Sequence, residues 1–199
     1  MNSEGQGGQT TWYQTGKLES NKDFSVETLQ DIAKEFYEYV IDKPNARTSS
    51  TNACIVAVFG DRQTRKFTAS TIPRGPVNAR MGREGRQKAP LWYHQMQARN
   101  RLRSSGGEFH AEDGAMFRWE SSPDSHGRTG HGVYLNDPIM GVYGDPGFRN
   151  PGVKDLNPCE KCLPVVGALD IGYHDSNGGR SSPTYSDGID DEDMMEVDC

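Results

Sequence analysis

The apolar residues change period abruptly between residues 41 and 53, and that switch limits what the chain can fold into. Val26, Leu29, Ile32, Ala33, Phe36, Tyr37, Val40 and Ile41 recur at helical spacing. Ser25 can cap the start of this helix, and Pro44 forbids its continuation soon after the end. The next apolar stretch, ACIVAVFG at 53–60, is continuous and rich in β-branched residues. After the polar turn DRQTR, the segment KFTASTI at 66–72 alternates and closes on Pro73 and Gly75. A helix with one apolar stripe, followed by a two-stranded hairpin, predicts an α/β fold.

The 199 residues, a third of them hydrophobic, suffice for one domain with a core but not comfortably for two. Residues 1–23 are rich in Gly, Ser, Gln and Thr and read as a flexible lead in which Trp12 and Tyr13 dock locally. The folded domain is expected over 24–177, and 178–199 reads as an acidic disordered tail. Within the domain, 73–90 reads as a loop, 91–103 as a helix, and 132–137 and 139–144 as strands. The turn-forming 145–158 reads as a loop, 159–169 as a helix with Pro164 in its first turn, and 170–174 as a last strand. No stretch approaches the roughly 20 apolar residues of a membrane span, and MNSEGQGGQTT has neither a basic start nor an apolar run. The expectation is an intracellular protein of the cytoplasm or nucleus with no membrane partner. Cys54, Cys159, Cys162 and Cys199 are too unevenly placed for a disulfide scaffold, and reduced thiols are expected, with a Cys-x-x-Cys suited to metal or redox chemistry.

The stretch GGEFHAEDGAMFRWE (106–120) sets His110 two residues before Glu112 at the mouth of a helix, and PCEKC follows at 158–162. The order H-x-E then P-C-x-x-C is the signature of zinc nucleobase deaminases. One imidazole and two thiolates supply three zinc ligands and leave the fourth tetrahedral position open, as a catalytic site requires. Two thiolates cancel the formal charge of Zn²⁺, so a neighbouring carboxylate must take the proton of any water there, and Glu112 stands in that place. Gly106 and Gly107 admit the turn, while Ala115, Met116 and Trp119 anchor the helix in the core. Two other readings remain: a structural zinc completed by Cys54, His126, His131 or His174, and a redox Cys-x-x-Cys. His126 and His131 otherwise read as solvated, His174 as a structural histidine, Cys54 as core and Cys199 as a free thiol.

The order hairpin, helix with H-A-E, strand, helix opened by P-C-x-x-C resembles the cytidine deaminase-like superfamily over residues 53–175. The resemblance implies a three-layer fold, a five-stranded mixed β-sheet flanked by helices, with His110, Cys159 and Cys162 on Zn²⁺ and Glu112 as the catalytic acid and base. The stretch between Glu112 and Cys159 is longer than compact members need and little chain follows Cys162, which is closer to toxin-like and other divergent branches than to free-nucleoside enzymes. The implied activity is hydrolytic deamination, cytosine to uracil or adenine to hypoxanthine.

A net charge of -6 conceals a segregation that bears on the substrate. Between Gly60 and Arg103 stand eleven of the twenty-two basic residues against two acids, about +9. Arg80, Arg83, Arg86 and Lys88 suit phosphate neutralisation, and Trp92, Tyr93 and His94 within the same stretch suit base stacking, although Trp92 and Tyr93 equally suit packing on a sheet. Asn78 is a candidate for sugar or base contact, as in some members of the resembled family. The expectation is a zinc-dependent deaminase of cytosine in nucleic acid, DNA before RNA. The alternatives are a catalytically silent nucleic-acid or partner-binding module of the same fold, and a deaminase of free cytidine, deoxycytidine or adenine. The tail from Ser186 onward holds seven acids and no base, and can lie over the basic stretch as a mimic of nucleic acid.

Overall fold

A computed structural model describes residues 1–6, 9–48, 51–98, 109–122, 135, 137–148, 151–174 and 180–181. Eight strands among these form one mixed sheet: β1 (Asn2–Gln6), β2 (Gln9–Lys17), β3 (Cys54–Asp61), β4 (Lys66–Thr71), β5 (Pro138–Asp145), β6 (Lys154–Leu156), β7 (Gly172–His174) and β8 (Arg180–Ser181). The order is β1-β2-β4-β3-β5-β7-β8, with β6 paired to β5; β5 and β7 run parallel and every other pair is antiparallel. The helices are α1 (Val26–Val40), α2 (Gly75–Lys88), α3 (Pro90–Ala98), α4 (Ala111–Ser121) and α5 (Leu163–Ala168).

The continuous apolar run at 53–60 is explained by burial on both faces. Cys54, Val56 and Val58 on β3 meet Leu29, Ala33, Phe36 and Val40 of α1 on one side. Ala57 and Phe59, alternating with them, meet Trp119 and Met116 of α4 together with Val77 and Met81 of α2 on the other. The result is three layers, with α1 alone on one face and the remaining helices on the other. The Ser25 hydroxyl accepts from Thr28 N–H at 3.3 Å, so the predicted cap of α1 is in place. Gly114 brings α4 close to β4: a Cβ there would lie 2.6 Å from Ser70 Oγ and 2.8 Å from Pro73 Cγ.

Four expectations need correction. Residues 1–23 are not a loose lead, because β1 and β2 form a hairpin whose second strand pairs with β4 from Tyr13 opposite Ser70 to Lys17 opposite Lys66. Glu4 fastens this hairpin by ion pairs to Arg80 at 2.8 Å and to Arg118 at 3.2 Å, and the Arg118 guanidinium lies 3.5 Å from the centre of the Tyr13 ring. Residues 73–90 are mostly helix rather than loop. Pro76 sits in the first turn, where its missing N–H has no helical partner to lose, and Val77, Met81 and Gly85 give α2 a buried stripe despite its glycines. The segment 159–169 opens not as a helix but as a turn, with Cys162 N–H donating to Cys159 O at 2.7 Å, and α5 starts only at Leu163. The short strand β6 also interrupts the loop expected at 145–158. The expected strand at 139–144 lies within β5 and the strand expected at 170–174 is β7, whereas Arg180 and Ser181 of the tail expected over 178–199 form β8; 132–134 and 136, Gly106, Gly107, His126, His131, 178–179 and 182–199 fall outside the described residues. No helix among the described residues is long and apolar enough to cross a membrane.

Candidate metal centre

His110 occupies the N-cap of α4, with extended backbone, and its N–H donates to the Asp113 carboxylate at 2.9 Å. That bond is the reciprocal half of a capping arrangement and fixes the direction in which the imidazole leaves the helix. Between β6 and α5, the Cys159–Cys162 turn delivers both sulfurs to the same point. His110 Nδ1 lies 2.8 Å from Cys159 Sγ and 3.4 Å from Cys162 Sγ. Donor atoms of His110, Glu112, Cys159 and Cys162 all lie within 4.8 Å of one another.

Glu112 is 3% exposed, and its Oε1 accepts from Cys159 N–H at 2.9 Å. Burial, reinforced by the negative charge on Cys159, pushes its carboxyl up to about 7, against the opposing pull of that N–H bond. The Cys159 thiol is drawn down to about 4, chiefly by the hydrogen bond from Cys162 and then by His110. Cys162 moves the opposite way, because Cys159 takes its hydrogen bond and burial disfavours a second thiolate. Hydrogen bonding to Cys159 raises His110. In this buried, mutually hydrogen-bonded cluster the Cys159 side chain is shifted towards the thiolate, and those of Glu112 and Cys162 towards the neutral form.

One nitrogen and two sulfurs form a donor set suited to zinc, and tetrahedral bonds of about 2.0 to 2.3 Å would hold such atoms only a little further apart than they lie here. A group of four potential ligands that could hold a metal ion is thus present, with zinc compatible with its donors.

The centre opens into a cavity of about 620 Å³ lined by His110, Glu112 and Cys159, within the size range of small-molecule sites. Asn78 lines it as well, and its Oδ1 accepts from Phe109 N–H at 3.2 Å. The far wall carries Arg47 and Arg74, which sequence reasoning counted as charge, if at all, and did not place. Arg74 donates to the carbonyls of Asn45, Ala46 and Arg47 at 2.6 to 3.0 Å and so shapes the wall, while Arg47 pairs with Asp145 at 2.8 Å. Gln9, from the hairpin read as a lead, is a further lining residue.

The proposed substrate residues divide. Trp92 is 1% exposed, its indole N–H donates to Asp113 Oδ1 at 3.1 Å, and Phe109 and Phe117 pack edge-on against it, so it is a core residue and not a stacking platform. Tyr93 is half-buried against it, and His94 is exposed. Arg80 is engaged by Glu4, and Lys88 pairs with Glu84 at 2.6 Å one turn away, while Arg83 and Arg86 are exposed on α2; none of these four lines the cavity. Cys54 is core, as expected, whereas His174 is exposed on β7 rather than enclosed. Asp113 and Glu120 were missed. Asp113 three residues after His110 is a capping signal that could have found it, but nothing local marks Glu120, which accepts from Leu91 and Trp92 N–H at 2.8 and 3.0 Å.

Comparison with protein-family models, with curated proteins and with solved structures gives no match.

Proposed function

We propose that the chain is a zinc-dependent hydrolytic deaminase acting on cytosine in nucleic acid, of the cytidine deaminase-like kind. The observation that carries the reading is the convergence of His110, Cys159 and Cys162 on one point, with the buried Glu112 beside them at the end of a cavity. The mixed sheet, with α4 opening on the H-A-E motif and β5 parallel to β7, supports the resemblance. His110, Cys159 and Cys162 would hold the ion, and zinc so bound lowers the pKa of water and supplies the nucleophile at neutral pH.

The chain's own residues account for the proton traffic. Glu112 takes a proton from the attacking water, passes it to the ring nitrogen as oxygen adds at the amino-bearing carbon, and returns a second proton to the departing amine. Water and cytosine are consumed, and uracil and ammonia leave. Burial favours the neutral acid and the Cys159 N–H bond favours the carboxylate, opposing pulls that suit a group serving as base and acid in one turnover. The hydrogen bond from Cys159 N–H fixes the second carboxylate oxygen away from the reacting one. Polymer specificity draws on Arg83 and Arg86, exposed on the helix whose first turns line the cavity.

The test is to incubate zinc-loaded protein with single- and double-stranded DNA and RNA and to sequence for C-to-U and A-to-I conversion, with Glu112→Ala as control. C-to-U conversion abolished by the substitution supports the reading. A protein that binds stoichiometric zinc yet converts nothing overturns it.

A further inference from the structure

Among the exposed large hydrophobic side chains of the described residues, Phe148 stands out at 72% exposure, and Val153 on the same loop is 48% exposed. The loop that carries Phe148 is firmly anchored at its neck. Asp145, at the end of β5, accepts from Gly147 N–H at 2.9 Å and from Gly152 N–H at 3.4 Å through Oδ1, while Oδ2 takes Arg47 at 2.8 Å. Phe148 N–H donates to Thr51 O at 3.0 Å. Gly147 adopts φ +83°, and a Cβ there would lie 2.0 Å from the same Thr51 oxygen, so only glycine lets the loop seat this closely.

The anchor points are also walls of the cavity. Thr51, Arg47 and Pro146 all line it, and through the Thr51 bond the backbone of the exposed Phe148 is held against that wall. Base stacking on an exposed phenyl ring is sequence-tolerant and substantial. From another wall, α2 leads away from the cavity through Asn78 towards exposed Arg83 and Arg86, a path of positive charge suited to phosphates. A strand that places one base in the cavity therefore offers its backbone to α2 and a neighbouring base to the loop.

We infer that Phe148 stacks on the nucleobase adjacent to the target in a single-stranded polynucleotide, an inference that rests on the deaminase reading for the identity of the target. A free nucleoside has no such neighbour, so the residue distinguishes polymer from monomer.

The experiment is a binding cycle on the full chain, read by fluorescence anisotropy. The probe is a short single-stranded thymidine tract with one central deoxyuridine, the product base, which is not turned over. Companion probes carry an abasic site immediately 5′ or 3′ of the deoxyuridine. In the wild type, one of the two abasic probes binds about tenfold more weakly than the intact probe. Phe148→Ala weakens the intact probe by a similar factor and shows no further loss with that abasic probe, while Phe148→Trp retains wild-type affinity. Wild-type indifference to both abasic sites, full additivity of the two losses, or no binding of the intact probe overturns the inference. Failure of C-to-U conversion with this cycle intact sinks the deaminase reading instead.

Discussion

The helices α1 and α4 press on opposite faces of the same strands, yet they are built on different terms. α1 buries Leu29, Ala33, Phe36, Tyr37 and Val40 on one stripe and leaves its other side to water. α4 is buried on every side from Ala111 to Glu120, and four of those ten residues carry charge: Glu112, Asp113, Arg118 and Glu120. Each charged group has a partner: Glu112 the Cys159 amide, Asp113 the Trp92 indole and His110 amide, Arg118 the Glu4 carboxylate, Glu120 the start of α3. Ionised groups are costly to desolvate, and stability alone is better served by apolar residues of equal size. The contrast teaches that α1 is held by an apolar stripe, whereas α4 is held by paired polar groups that tie it to the first hairpin, to α3 and to the Cys159 turn.

The largest effect that separates the two helices is expected from Glu112→Ala. Deaminase turnover should fall about 10²- to 10⁴-fold or more. The melting temperature should hold or rise, because a buried carboxyl has been removed. A melting temperature that collapses with the activity would make Glu112 part of the scaffold and break the distinction.

On the other face, Phe36→Ala should lower unfolding free energy by about 3–5 kcal/mol in denaturant titration, since the side chain is fully enclosed. Turnover per folded molecule should be unchanged; loss of activity in the folded fraction would show that α1 also shapes the site.

Gly114→Ala addresses the seat of α4 on β4. The added methyl meets Ser70 and Pro73 and should cost about 1–3 kcal/mol, and, unlike Phe36→Ala, it should also slow turnover by tilting the helix that carries His110 and Glu112. A destabilised variant with wild-type turnover would show that the centre tolerates movement of its helix.

The smallest effect belongs to Ser25→Ala, which removes the α1 cap. About 1 kcal/mol of stability should be lost, with no change in activity.

The same contrast explains what the sequence made legible. α1, β3 and β4 could be read because burial on one face or on both leaves a period in the sequence. The candidate metal-binding group could be read because metal sites draw on particular residue types at short local spacings, and the structure brings His110, Cys159 and Cys162 together. α2 was hidden by Gly75, Pro76, Gly82 and Gly85, which resemble loop punctuation, while its stabilising contacts come from tertiary packing of Val77 and Met81. The first hairpin was hidden for another reason: β2 is completed by a strand some fifty residues away, so no local signal reports its pairing. Trp92 was misplaced because its partner carboxylates, Asp113 and Glu120, lie far along the chain. The cavity wall of Arg47, Arg74 and Gln9 was illegible throughout, since a loop, a helix cap and a strand end from separate parts of the chain assemble it.

The docking of the first hairpin has a consequence for biosynthesis. β1 and β2 leave the ribosome before β4, the edge partner of β2, and the clamp on Glu4 includes Arg118, which follows later still. The outer edge of β2 therefore stays open until residues 66–71 have emerged, and the Glu4 carboxylate lacks its second arginine until Arg118 does, so the seat of the hairpin is completed in two stages.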